Sequence, residues 1–245
     1  MFIVIKPWKP CMKFSFAAAI VLAAALFVPA GLPALAAEGA PIVSDAQIPV
    51  WTPTEDTEIR YDVLRKGKPF GTHVSSFSLG EDGTLSVTHD IELKAKIGPV
   101  TVYKYSHKAT ERWQDSQLIA LRGETRKNGD ELSVTASRNG DSLTVSGSNF
   151  DGTVEADIVP ATHWNIRQMF EGGILSTEGG QTLETVVEEL GRETLTIDGE
   201  DIETTKFSLA SDLTVFLWYD DNGRWVRCEF TARGQKIEYE LTSLY

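Results

Sequence analysis

An all-β fold is what this sequence predicts, and three observations predict it: strict apolar–polar alternation, Asn-Gly and Asp-Gly pairs between strand-like runs, and almost no helical periodicity. In Leu85–Ile97 the odd positions Leu85, Val87, His89, Ile91, Leu93, Ala95 and Ile97 are apolar apart from His89. The intervening Ser86, Thr88, Asp90, Glu92, Lys94 and Lys96 are polar. Side chains alternate between the faces of a strand, so this pattern describes a strand with one buried face. Asp82-Gly83, Asn128-Gly129, Asn139-Gly140, Asp151-Gly152, Asp198-Gly199 and Asn222-Gly223 read as hairpin turns, because Asn, Asp and Gly tolerate left-handed backbone. The expected architecture is a curved antiparallel meander, a half-barrel or open barrel of roughly ten to twelve strands. At most one short helix, Asn165–Glu171, is expected, ended by Gly172-Gly173.

In chain order, residues 1–37 come first. Lys13 is followed by an uncharged run rich in Ala, Leu and Val that ends Ala34-Leu35-Ala36-Ala37. A basic start, an apolar centre and small residues at a cleavage point predict a signal peptide and hence an exported, periplasmic protein. Pro29, Gly31 and Pro33 interrupt the run before it reaches the length of a membrane span, so no transmembrane anchor is expected. Lys6, Lys9 and Cys11 before Met12 make the basic start unusually long, which favours translation from Met12 over Met1; either start removes Cys11 from the mature chain. Residues 38–57 carry Pro41, Pro49 and Pro53 without periodicity and read as an extended arm; residues 58–245 read as a single all-β domain.

Within that domain the C-terminal third allows a register test. A two-residue turn at Asn222-Gly223 pairs Leu217 with Cys228 and Val215 with Phe230. A second turn at Arg233-Gly234 pairs Phe230 with Ile237 and Val226 with Leu241. Every pair is apolar on both sides, which supports the register. Phe216, Trp218 and Trp225 then fall on the opposite face, where exposed Trp218 and Trp225 form a candidate docking surface for a partner.

Charge and motifs exclude several classes. Loss of residues 1–37 removes three lysines and no acid from 23 basic and 35 acidic residues, moving the net charge from −12 to −15. Such a field repels nucleic acid and anionic lipid headgroups. Cys228 alone survives processing and reads as a small buried hydrophobe on a core face. No Gly-x-Ser-x-Gly elbow, His-Glu-x-x-His pair or glycine-rich loop before a helix is present, so the sequence leans away from an enzyme and offers no catalytic residue.

Two constellations carry site chemistry. If Glu81-Asp82-Gly83 is a three-residue loop, Ser75 lies opposite His89 with His73 one diagonal step away. If Ile97-Gly98-Pro99 is another, His89 lies opposite His107. Three imidazoles on one face suit zinc or copper; the alternative is that Ser and Tyr hydroxyls satisfy each separately and no cofactor is bound. His163-Trp164-Asn165 interrupts the strand pattern either as a pocket mouth or as a plug, with Trp164 capping the core and Asn165 capping the short helix. Tyr61, Phe77, Tyr103 and Tyr105, with His163, Trp164 and Asn165, are the residues expected to line a concave face.

Leu217-Trp218-Tyr219-Asp220, Gly223-Arg224-Trp225-Val226, Gly234 and Ile237-Glu238-Tyr239-Glu240-Leu241 resemble the C-terminal signature of a family of exported bacterial proteins of unknown function. Tyr61-Asp62-Val63, Gly67, Gly71 and His163-Trp164-Asn165 fit the same resemblance. That family is distantly similar to half-barrels of the lipoprotein-localisation type, which wrap a sheet around an apolar groove. The resemblance implies a Gram-negative periplasm and no established activity; the long helix that plugs such half-barrels has no counterpart in this sequence. The resulting expectation is non-enzymatic binding of a hydrophobic or lipid-like ligand on the concave face. A metal-binding protein using His73, His89 and His107 and an envelope protein docking through Trp218 and Trp225 are the alternatives.

Overall fold

The computed structural model describes residues 48–242, so the signal-peptide segment and the start of the arm lie outside the described residues. Contacts divide the chain into Met1–Gly39 and Ala40–Tyr245, and every described residue belongs to the second unit. The described strands are β1 (Thr57–Arg65), β2 (Lys68–Leu79), β3 (Leu85–Ile97), β4 (Val100–Gln114), β5 (Gln117–Lys127), β6 (Asp130–Asn139), β7 (Ser142–Gly147) and β8 (Asp151–Glu155). They continue as β9 (Val159–Pro160), β10 (Gly173–Leu175), β11 (Thr182–Glu184), β12 (Val186–Ile197), β13 (Glu200–Ala210), β14 (Thr214–Asp220), β15 (Trp225–Ala232) and β16 (Gln235–Leu241). The fold is the expected antiparallel open barrel with more strands than expected, because Ile174–Gly191, which shows no alternation, holds two short strands and the start of a long one.

Thirteen strands form one antiparallel sheet in the order β12-β13-β14-β15-β16-β1-β2-β3-β4-β5-β6-β7-β8. Two meanders are thus joined by the pairing of β1 with β16, and β8 and β12 remain as edges. Residues 156–185 link those edges. They carry the three-stranded sheet β11-β10-β9 and the 3-10 turn Ile166–Met169, whose second residue Arg167 donates its N–H to Asn165 Oδ1.

The sheet must wrap around this crossing segment. Trp164 Nε1 donates to Glu111 on β4, whereas four residues later Gln168 Nε2 donates to Tyr219 on β14. In a flat sheet those strands stand six spacings apart, or about 29 Å, which residues 164–168 cannot span. Curvature brings the two halves to one short segment, and the concave face becomes the core.

The turns follow the sequence with instructive exceptions. Asn128-Gly129, Asp198-Gly199 and Arg233-Gly234 each hold two consecutive residues at positive φ, the geometry that two-residue hairpins require. Lys66-Gly67 does the same without an Asn or Asp to announce it. Asp151-Gly152 is not a turn: it opens β8. At Asn222-Gly223 the Asp220 amide bonds to the Arg224 carbonyl, so three residues turn instead of two. A bulge at Trp218/Tyr219 absorbs the extra residue, restoring Leu217 opposite Cys228 and Val215 opposite Phe230 as expected.

That bulge corrects the docking face. It turns Trp225 inward, where its ring lies 4.3 Å from that of Tyr61. Trp218 stays on the outer face but is covered by Lys206 and Arg227, and its indole N–H donates to Glu193. At 2 % and 1 % exposure, Trp218 and Trp225 offer no free indole surface.

Glycine on the concave face admits the crossing segment. A Cβ on Gly123 of β5 would stand 2.0 Å from the Thr177 carbonyl oxygen, and one on Gly147 of β7 would stand 2.5 Å from that of Gly179. Both obstacles are backbone, which cannot rotate away. Gly123→Ala is expected to destabilise the fold by about 2 kcal/mol or more, the scale of an overpacked core. Urea denaturation measures this; an unchanged midpoint would show that the 176–180 turn is free to lift from β5.

Candidate ligand-binding site

Between the concave face and the crossing segment lies a cavity of about 350 Å³. β2, β3 and β4 present His73, His89 and His107 to it, and the crossing segment contributes His163 and Thr177 from the other side. Ile91, Leu183, Val215, Cys228 and Phe230 supply an apolar wall. Cys228 is buried as expected, and desolvation, reinforced by Glu229, pushes its thiol far above the ordinary range, so it contributes carbon-like surface in place of a nucleophile.

Register places the histidines. Ser75 lies opposite His89, as the three-residue loop at Glu81–Gly83 predicts. The second loop differs: Ile97 pairs with Val100 and a bulge follows at Ala95/Lys96, so His107 faces Ile91 and stands diagonal to His89. Ser75 Oγ lies 2.8 Å from His89 Nδ1 and 3.2 Å from His73 Nε2. His107 is occupied by threonines, with Nδ1 2.8 Å from Thr125 Oγ1 and Nε2 3.1 Å from Thr177 Oγ1. Hydroxyls therefore engage His73 and His89 through one ring nitrogen each and His107 through both, and among the described residues no group of three His, Cys, Asp or Glu side chains is arranged to hold a metal ion.

Beneath the histidines sits Glu111, a residue the motif search passed over. It is fully buried on β4, where Thr162 Oγ1 donates to Oε1 at 2.6 Å and Trp113 and Trp164 Nε1 donate to Oε2 at 2.7 and 3.0 Å. His89 Nε2 lies 3.3 Å from Oε1, near enough for electrostatic attraction but without the alignment of a full hydrogen bond. Burial alone would raise this carboxyl; His89 first, then Thr162 and Trp164, outweigh it and hold the group below its ordinary value. The signal was present in the sequence, since His107, Ala109, Glu111 and Trp113 share one face and an acid in that series must be buried.

Ser75, His89 and Glu111 form a hydroxyl–imidazole–carboxylate row. Ser75 is 1 % exposed and does not border the cavity, so the row orients His89 and leaves no open nucleophile. With Glu111 attracting an Nε2 proton, His89 Nδ1 accepts from Ser75, and Ser75 Oγ accepts from His73 Nε2. His73 Nδ1 is then a bare acceptor, and it is buried with no partner.

His73, His107 and His163 are held towards the neutral form. Burial first, then the neighbouring His89, His163 and His107, holds His73 well below its ordinary value. Burial brings His107 and His163 down to about 4, against partial opposition from Glu178 and Gln168 respectively. His163 and Gln168 share a 3.0 Å bond, and Tyr219 donates to the His163 carbonyl at 2.8 Å, which ties the crossing segment to β14.

The residues expected to line the concave face divide. Tyr105 and His163 border the cavity; the Tyr105 hydroxyl donates to Glu178 at 2.6 Å. Tyr61 is sealed in the core with its hydroxyl on the Trp225 carbonyl, and Phe77 packs edge-on against Trp51 and Trp164. Tyr103 stacks on Phe70 beside the β3–β4 hairpin. Trp164 and Asn165 form the plug, one bonded to Glu111 and the other capping the 3-10 turn.

An open antiparallel sheet curled around a crossing segment, with an apolar cavity between them, defines a β-barrel-like fold. The chain belongs to the family described as Domain of unknown function (DUF6134), which it matches over residues 61–242. Its fold is similar to that of a beta-barrel-like protein of Domain of Unknown Function DUF1849 from Brucella abortus. That match has a TM-score of 0.54 and 10 % identity, and covers 80 % of this chain and 97 % of that one. No curated protein matches the chain.

Proposed function

We propose that this is a non-enzymatic periplasmic binding protein that holds a small hydrophobic ligand between the concave face and the crossing segment. The observation that carries the reading is the cavity itself: a mostly carbon surface, with His73, His89 and His107 on the sheet side and His163, Glu178 and Asp212 also at its border. A mostly carbon surface with polar groups placed around it is the make-up of a pocket that orients a ligand. At about 350 Å³ the space is near the lower end of ligand pockets, which run from about 300 to 1,000 Å³. It fits one short apolar body with a single polar end and is too small for a whole phospholipid. The unpartnered acceptor on His73 favours a hydroxyl or amine at that end.

Ala161 borders the cavity from the crossing segment. Ala161→Phe fills the space and is expected to abolish saturable binding of the apolar probe N-phenyl-1-naphthylamine while the protein remains folded by circular dichroism. Equal probe binding by both proteins would sink the reading. Native mass spectrometry of protein purified from the periplasm tests it independently, since a released small apolar molecule is the expected result.

A further inference from the structure

The β3–β4 hairpin leaves the sheet. Leu93 is the last residue of β3 paired to β2, and Tyr105 is the first residue of β4 paired to β5. Lys94–Lys104 therefore has ladder partners only within itself; Phe70 near the start of β2 stacks on its Tyr103, and on the other side it projects beyond β5 by about four residues, or about 13 Å. Asn128 clamps its base, exchanging hydrogen bonds with the Lys104 amide and carbonyl.

The tip of this hairpin is apolar. Ile97, Val100 and Val102 are 71 %, 60 % and 48 % exposed, and the exposed Pro99 stands between them. Ile97 pairs with Val100 and follows the inward register of Ala95 and Tyr103, and Val102 is the extra residue of the bulge between them. Behind the tip, exposed Lys94, Lys96 and Lys104 form a collar. Lys66, Lys68 and Lys127 lie at the adjoining ends of β1, β2 and β5. None of these six lysines has an ion-pair partner among the described residues, while the nearby Arg126 is neutralised by Glu131. The nearest acid on β3 is Glu92, below the collar.

We infer that the Lys94–Lys104 hairpin docks the protein on an anionic lipid bilayer, with Ile97, Pro99, Val100 and Val102 in the acyl boundary and the lysines against the headgroups. Apolar side chains at the end of a ribbon enter an interfacial apolar layer end-on while a basic collar stays at the headgroups. Charge complementarity selects the anionic surface. In a mature chain expected to carry −15, six lysines without ion-pair partners concentrate positive charge at one end, with Asp130 opposite Lys127 as the acid beside them, and their field acts within about one Debye length. Leu213, in the β13–β14 turn at the same end of the sheet, borders the cavity. Docking would bring that rim towards the bilayer, but docking does not depend on the cavity holding a ligand.

The test is co-sedimentation of the full mature chain with vesicles of phosphatidylcholine and phosphatidylglycerol, compared with phosphatidylcholine alone. Binding to the mixed vesicles at low salt is expected. It should fall at least about tenfold in Ile97→Asp/Val100→Asp and in Lys94→Gln/Lys96→Gln/Lys104→Gln. Arg122→Gln, an exposed charge elsewhere on the outer face, should bind as the parent does. Because each substitution is exposed, thermal unfolding of the variants should match the parent. An environment-sensitive fluorophore on Val100→Cys should shift to the blue on mixed vesicles. Absence of binding, binding that survives both hairpin variants, or a label that stays in water would each overturn the proposal.

Discussion

Replacing Glu111 with alanine is expected to cost at least about 4 kcal/mol, a large part of the stability of an ordinary domain. The carboxylate is the shared acceptor of Thr162, Trp113 and Trp164 and the counter-charge of His89, all of them buried. Each donor stranded without water costs about 1 to 3 kcal/mol, and no side chain in the core replaces the missing oxygens. Glu111→Gln should lose less, because one oxygen remains, but its amide hydrogens would face donors. Urea denaturation followed by indole fluorescence reads the result, with Trp113 and Trp164 as direct reporters. A loss below about 1 kcal/mol for Glu111→Ala would mean that water enters and solvates these groups, and that the plug is not sealed.

Acidification should unfold the protein through its histidines. His73, His107 and His163 are held below their ordinary value near 6.5, so the folded state keeps them neutral where the unfolded chain takes up protons. Their contribution is fully present above pH 6.5, and it is lost as pH falls from there towards the folded values, about 4 for His107 and His163. At pH 5 each of these two costs about 2 kcal/mol. Glu178 near His107 opposes the effect only in part, and Glu111 adds to it, since a carboxyl held below its ordinary value also loses its contribution in acid. The urea midpoint should be level from pH 8 to 6.5 and drop steeply by pH 5, and His107→Gln/His163→Gln should flatten that drop. A level midpoint down to pH 5 in the parent protein would show that these rings are hydrated in the folded state.

Much of the sheet was legible because alternation and turn chemistry are local. The alternating segment Leu85–Ile97 is β3 to the residue, and the partners of Val215, Leu217 and Phe230 follow from the spacing of two turns. What was hidden depended on single-residue insertions. The bulges at Ala95/Lys96 and Trp218/Tyr219 leave no mark in composition, yet one moves His107 by a pair and the other turns Trp225 from the outer face to the core. The hairpin turn at Glu81–Gly83 has no such bulge behind it, and there the expected opposition of Ser75 and His89 is what forms. Curvature was likewise beyond the pattern, because an inward-facing residue looks the same in a flat sheet. Only the reach of the 164–168 segment reveals that β4 and β14 face each other.

The seam between β1 and β16 gives the molecule an order of assembly. Within each meander the partners are neighbours in the chain, and their loops are short enough to close early. At the seam, Thr242 bonds to the Arg60 carbonyl across 182 positions. Loop-closure entropy rises only logarithmically with that separation, so the seam costs little at equilibrium, but pairing so remote in sequence is slow to find. The two meanders are therefore the natural first products of folding, and the crossing segment is a leash between them. The middle of the finished sheet is its latest joint.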